Sequence, residues 1–344
     1  MFRVNATMDQ RMPLSQVAEH ARRAERLGYD GLDVPEAAHN GLVAATVALV
    51  ATTRLRVATS VLVAFPRSPM TVAHAAWDLQ ELSRGRFELG LGSQVRGNIV
   101  GRYSTPWTAP VPRMREYVQS LRAILDCWQN GTPLSFQGEH YRFTRMQPFF
   151  SPGSIEYGRI PILLGGVGPR MTALAGEVAD GLVTHPTNTA PRYVREVIRP
   201  RLERGARRAG RDPSAFELRV TPLLATGPSD EDVKREREKI RRLLAFLYST
   251  PAYWPSLELF GWRERGEHLH RLTREERWQE MEGVITDEML DTLVPSATYA
   301  DIAAVLEGWY GGLTDRITFS MPDDPSADTE AAKVVRQLRT GSSA

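Results

Sequence analysis

The sequence predicts an α/β protein folded as a closed (β/α)8 TIM barrel, and three observations carry that expectation. Strand-like and helix-like patterns alternate along the chain, and eight of the strand-like runs are apolar enough to be buried on both faces. Such strands belong to parallel sheets covered by helices. The length, 344 residues, suits eight such units in one domain spanning residues 1–344 better than an open doubly wound sheet.

Each element has its own signal. FRVNA (2–6) is a short strand, and LSQVAEHARRAERLG (14–28) follows with apolar residues at helical spacing and a closing Gly28. GLDVPEA (31–37) is the second strand, and LVAATVALVATT (42–53) is an apolar helix. RVATSVLVAF (56–65) reads as one continuous buried strand, and PMTVAHAAWDLQEL (69–82) as a helix that Pro69 starts. RFELGLG (86–92) is the fourth strand; Arg84 and Arg86 finish the preceding helix and cover its carboxyl end. Further along come the strand IPILLGGV (160–167), the helix PRMTALAGEVA (169–179) and the strand GLVTHP (181–186). The helix APRYVREVIRPRLERGARRAG (190–210), the strand ELRVTPLLAT (217–226) and a charged helix from Ser229 follow. In that helix DEDVKREREKIRR reads as a solvated face with i,i+4 pairs. DRITFS (315–320) is the eighth strand, with a helix behind it. Two insertions are expected, at about 93–159 after strand four and about 246–312 before strand eight. Both leave from strand carboxyl ends, the face on which barrel sites are built.

Composition narrows the function. With 42% hydrophobic and 24% charged residues the chain reads as an ordinary globular protein, and a net charge of +2 gives no case for a nucleic-acid or membrane partner. Lys234, Lys239 and Lys333 are the only lysines among 43 basic residues, an arginine bias that fits a GC-rich genome. A single cysteine, Cys127, excludes an internal disulfide and fits a reducing compartment. No charged n-region precedes an apolar stretch at the start, and no run approaches membrane-spanning length, so a cytoplasmic location is expected. Of the seven histidines only His268 and His270 lie close in sequence, without companions, so no metal site is expected.

Two stretches ask for a ligand. In LSRGRFELGLGSQ (82–94) a buried strand ends in two glycines and a polar pair, as though something approached its backbone closely. In LLGGVGPRM (163–171) two glycines end a strand, a third follows Val167, and Pro169 takes the first helical position. Amides at such a helix start suit a phosphate, although the same local sequence also fits a tight turn with no ligand. The G-x-G-x-x-G spacing of a dinucleotide fingerprint is not met.

Several blocks together resemble the bacterial luciferase-like superfamily of flavin and deazaflavin oxidoreductases: RAERLGYDGLDV, TSVLVAFPRSP, LSRGRFELGLGS, IPILLGGVGPRMTALAGEVADGLVTH and the closing YGGLTDRITFSMP. The TSVL block resembles the branch that uses the deazaflavin coenzyme F420. The resemblance implies an F420-dependent oxidoreductase passing a hydride between C5 of the coenzyme and a small organic substrate. The alternative is an FMN-dependent monooxygenase using reduced flavin and oxygen, and a third reading is a non-catalytic flavin- or deazaflavin-binding barrel. It also implies a non-prolyl cis peptide at Ser60–Val61 under the ring, with Gly92, Ser93 and Gln94 at the ring edge. Gly165, Gly166, Val167, Gly168 and Met171 would hold the phosphate, and a homodimer would form through the helices after strands two and three.

The sequence departs from that pattern after strand two. Many deazaflavin members carry an Asp-His pair there; here Glu36 and Ala37 stand in its place, and His39 follows two residues on. His39 is the candidate catalytic acid or base, with Glu36 as its orienter or substitute. The glutamate of the sugar-phosphate dehydrogenases has no counterpart in SQVRGNIVGR, which offers Gln94, Arg96 and Asn98. Asn5 and His185, at strand ends, are further candidates, and Tyr248, Tyr253, Trp254, Phe260 and Trp262 either anchor the second insertion or roof a pocket.

Overall fold

In the computed structural model, which describes residues 1–341, eight parallel strands close into a barrel. They are β1 (Arg3–Thr7), β2 (Gly31–Val34), β3 (Arg56–Thr59, resumed at Leu62–Val63), β4 (Phe87–Gly92), β5 (Ile162–Gly165), β6 (Gly181–Val183), β7 (Glu217–Val220) and β8 (Arg316–Thr318). Neighbours pair in chain order, and β8 closes on β1 with Asn5 opposite Thr318.

Alternation along each strand sorts the side chains. Val4, Ala6, Leu32, Val34, Leu89 and Leu91 are fully buried against the helical shell. Their neighbours Asn5, Asp33, Glu88, Arg219, Arg316 and Thr318 bond to one another across the barrel. At the amino end this interior is ionic. Glu88 receives Arg219 at 2.7 Å, Arg316 at 3.1 Å and Arg56 at 2.7 Å; Glu217 pairs with Arg219, Arg316 and Arg3. Burial alone would raise the Glu88 carboxyl, but the three guanidinium groups beside it hold its pKa down at about 2.

The first helices are α1 (Leu14–Arg26), α2 (Gly41–Ala51) and α3 (Pro69–Leu82). Asn40 caps α2, Ser68 caps α3, and Pro69 takes the first position of α3. Arg86 reaches the Ser83 carbonyl at the end of α3, as expected, but most of its donors go to Leu49, Thr52 and Leu55 around the end of α2. Glu25 gathers the amides of Thr53, Arg54 and Leu55 as the chain enters β3.

Some expected strands are shorter than the apolar runs that announced them. β3 is interrupted at Ser60 and Val61 and is not continuous. β6 stops at Val183, and the second half of ELRVTPLLAT leaves the barrel as Ala225–Gly227 to pair with Ser296–Thr298. Residues 93–159 carry a short helix (Arg96–Gly101), the long α4 (Pro110–Asn130) and the hairpin Phe136–Gln137 with Arg142–Phe143. Residues 246–312 carry Trp254–Leu259, Arg263–Arg274, Asp287–Leu293 and Ile302–Tyr310. On the charged helix Asp230–Tyr248 the pairs Asp232–Arg235, Glu236–Lys239 and Glu238–Arg241 fall at i,i+3 instead of i,i+4. Among the described residues no helix is long and apolar enough to cross a membrane, and no group of three or more His, Cys, Asp or Glu side chains could hold a metal ion.

Candidate active site

At the carboxyl ends of β3, β4 and β5, the mouth of the barrel on that side, Val61 packs against glycines of the two neighbouring strands. The Ser60–Val61 peptide is cis, and the chain bulges there before rejoining β4 through Leu62 and Val63. Three glycines accommodate the bulge. A Cβ on Gly90 would stand 2.0 Å from the Thr59 carbonyl oxygen, and one on Gly92 2.5 Å from Val61 Cγ2. One on Gly165 would stand 3.0 Å from Val61 Cγ1. The Thr59 hydroxyl ties the same strands together, donating to the Gly90 carbonyl at 2.8 Å and accepting from its amide at 2.9 Å. The glycines that the sequence offered as space for a ligand are therefore filled from within, by Thr59 and Val61. What they permit is a blunt apolar knob at the mouth, with Ser60 half-buried beside it.

Just past β4 the chain turns sharply. Gln94 has φ +58°, its side-chain oxygen accepts from the Val95 amide at 2.9 Å, and the Ser93 hydroxyl donates to the Gln94 carbonyl at 3.3 Å. Both side chains serve the turn itself in this structure.

The β5 junction leads into α5 (Pro169–Val178). Gly168 is its N-cap residue, with Pro169 next and no acidic residue in the first turn. A Cβ on Gly168 would meet nothing within 4 Å, whereas one on Gly166 would lie 3.0 Å from Cγ of Met171. Gly165, Gly166, Val167 and Gly168 are partly accessible, but Met171 is buried beneath the turn. Met171 supports the junction from below.

Glu36 is committed to structure. It forms a two-pronged pair with Arg67 (2.7 and 2.8 Å) and accepts the amides of Val63 at 2.8 Å and Gly41 at 3.2 Å. Its side chain is only 4% exposed. One carboxylate thus joins the strand after the bulge, the start of α2 and the loop after β2. Arg102 holds the same loop from above by donating to the Ala37 carbonyl. His39, partly accessible on this loop, has no hydrogen-bond partner among the described residues, so Glu36 does not orient it. Arg67 and Arg102 were missed as positioning residues; the signal for Arg67 was an arginine directly after the TSVLVAFP block.

His185 ends β6 and caps a short turn. Its Nδ1 accepts from the Thr187 amide at 3.3 Å and lies 2.8 Å from the Thr187 hydroxyl, while its ring stacks on Tyr253 at 4.4 Å and 7°. Burial lowers its pKa to about 4, so the ring is neutral at physiological pH. The turn is fastened by Asn188, which bonds the His185 amide and the Gly166 carbonyl, and by the Tyr248 hydroxyl on the Thr187 carbonyl. Of the aromatic residues in the second insertion, Tyr253 reaches His185 and Tyr248 reaches the Thr187 backbone; Trp254 braces the Tyr248 carbonyl, and Phe260 stacks on Trp262. Asn5 lies deeper, bonded to Asp33 at 2.8 Å, whose carboxyl burial pushes upward.

A (β/α)8 barrel with its site at the strand carboxyl ends is the class that this geometry defines. The luciferase-like monooxygenase model matches residues 1–316, and the chain belongs to that family of oxidoreductases. It is 42% identical over 304 residues to an uncharacterized protein of Mycobacterium tuberculosis, covering 88% of this chain and 89% of that one. It is 28% identical over 303 residues to a 5,10-methylenetetrahydromethanopterin reductase of Archaeoglobus fulgidus, 85% of each chain. Among solved structures, the coenzyme F420 dependent tetrahydromethanopterin reductase from Methanopyrus kandleri superposes with a TM-score of 0.80 over 98% of both chains, at 17% identity.

Proposed function

We propose that the protein is an F420-dependent oxidoreductase that exchanges a hydride with a small organic substrate. The observation that carries this reading is the Val61 knob seated on Gly90, Gly92 and Gly165, a firm apolar support for one face of a planar ring. The residues present fit the coenzyme: the knob meets its ring, and the open amide end at Gly166, Val167 and Gly168 suits its phosphate. Two relatives, 29% and 32% identical, carry F420 in their names, which favours F420 over FMN. When bound, the coenzyme supplies hydride exchange at C5 of its deazaflavin ring. The chain's own share is to seat the ring on Val61, fix the bulge through Glu36 and Arg67, and place a proton donor or acceptor at the mouth. His39 is the candidate for that last role, because its ring is partly accessible and has no hydrogen-bond partner among the described residues. Glu36 acts as a positioning residue.

The test is a binding comparison. The purified protein is titrated with F420 and with FMN, following fluorescence quenching. F420 is expected to bind at least ten times more tightly, and Val61→Asp to abolish the preference. Tighter FMN binding, together with oxygen consumption when reduced flavin is added, would instead support the monooxygenase reading. We also place a homodimer contact on α2 and α3, where Val43, Val50 and Leu82 are exposed. Sedimentation of Val50→Glu beside the parent protein tests it, a monomer being the expected result.

A further inference from the structure

His185 carries an inference that deepens this reading and rests on it. An amide N–H can only donate, so the Thr187 amide makes Nδ1 of His185 an acceptor, and the ring proton sits on Nε2. The Thr187 hydroxyl at 2.8 Å occupies the same nitrogen, and Tyr253 covers one ring face. Among the described residues Nε2 has no protein partner, and it is not one of their buried, unpartnered polar atoms. The ring therefore presents a single N–H outward while every other polar position is fixed.

Its surroundings indicate what that N–H meets. The turn that holds it is tied to the Gly166 carbonyl and so lies beside the glycine junction. The adjoining surface is the partly buried Tyr253 ring. We propose that His185 is a substrate-binding residue, donating Nε2–H to the acceptor oxygen or nitrogen of a small carbonyl or imine compound that lies along Tyr253. A donor fixed in direction favours acceptors at one position and discriminates against analogues lacking it.

Protein labelled with 15N-histidine, with and without saturating oxidised F420, is titrated with acetophenone while the His185 ring nitrogens are followed by NMR. The expected results are a proton on Nε2, a downfield move of that proton as the ketone binds, and roughly ten-fold weaker ketone binding in His185→Phe, the factor one hydrogen bond is worth. His185→Gln, which keeps a donor, is expected to recover most of the affinity, and F420 affinity is expected to be equal in all three proteins. A proton on Nδ1, equal ketone affinity in His185→Phe, or no ketone binding by the parent protein overturns the assignment. Failure of F420 itself to bind defeats the coenzyme reading instead, and the coenzyme-free titration then still decides the role of His185.

Discussion

The two ends of the barrel are built from the same eight strands by opposite means. At the amino end the interior is ionic: Glu88 and Glu217 are held among Arg3, Arg56, Arg219 and Arg316. At the carboxyl end, around the bulge, the packing is glycine, Val61 and backbone, and the acid of the neighbouring loop, Glu36, is turned aside onto Arg67. Buried charges hold position only while every partner is present, because a lone one bears its full desolvation cost. A mouth made of glycine and exposed amide has few such obligations and can accept a ligand. The lower half is a scaffold, and the upper half is a surface.

The contrast can be broken or sharpened in order of expected effect on stability. Arg219→Met should be the most damaging: it strips Glu88 and Glu217 of a partner whose side chain is 3% exposed, and a loss of about 3–5 kcal/mol is expected in urea unfolding. A loss below about 1 kcal/mol would mean that the ionic end is not a scaffold at all. Gly90→Ala should follow at about 3 kcal/mol, since its Cβ would meet rigid backbone at 2.0 Å, whereas Gly97→Ala, with nothing within 4 Å, should change little. Equal melting temperatures for the two variants would show that the bulge yields.

The pH dependence comes next. Because the folded pKa of Glu88 lies below its ordinary 4.5, the unfolded chain binds its proton more readily. Its contribution is complete above about pH 4.5 and disappears as pH falls toward about 2. Urea midpoints measured down this range should decline more steeply for the parent than for Glu88→Gln; parallel declines would remove the carboxylate from the argument. His39→Ala should change unfolding by less than about 0.5 kcal/mol, as its ring has no hydrogen-bond partner among the described residues, yet lower F420-linked turnover about 100-fold. A stable variant with parental turnover would leave proton transfer to another group.

Much of the fold was legible in the sequence because strands buried on both faces leave continuous apolar runs, and all eight were found in order. Their ends were less legible. RVATSVLVAF contains no glycine or proline to mark the break at Ser60, since the glycines that allow it lie on β4 and β5. The ionic interior was legible in principle: an acid or arginine inside a run buried on both faces, as in FELGLG, ELRV and DRITF, must find a partner within the barrel. The apolar residues on either side mask each charge, and spacing does not say which strands supply its partners. Glu36 was singled out for its place in a motif, but its bonds to Arg67, Gly41 and Val63 arise from chain segments that sequence spacing does not relate.

Tyr253 reaches His185 from a segment that belongs to none of the eight strands. One wall of the mouth can therefore be lengthened, trimmed or rewritten during evolution without disturbing the strand pairing that holds the rest. If the proposed substrate site holds, relatives with the same barrel diverge in what they accept by editing one detachable stretch of chain, and a chimaera exchanging residues 249–262 would be the natural way to move preference from one to another.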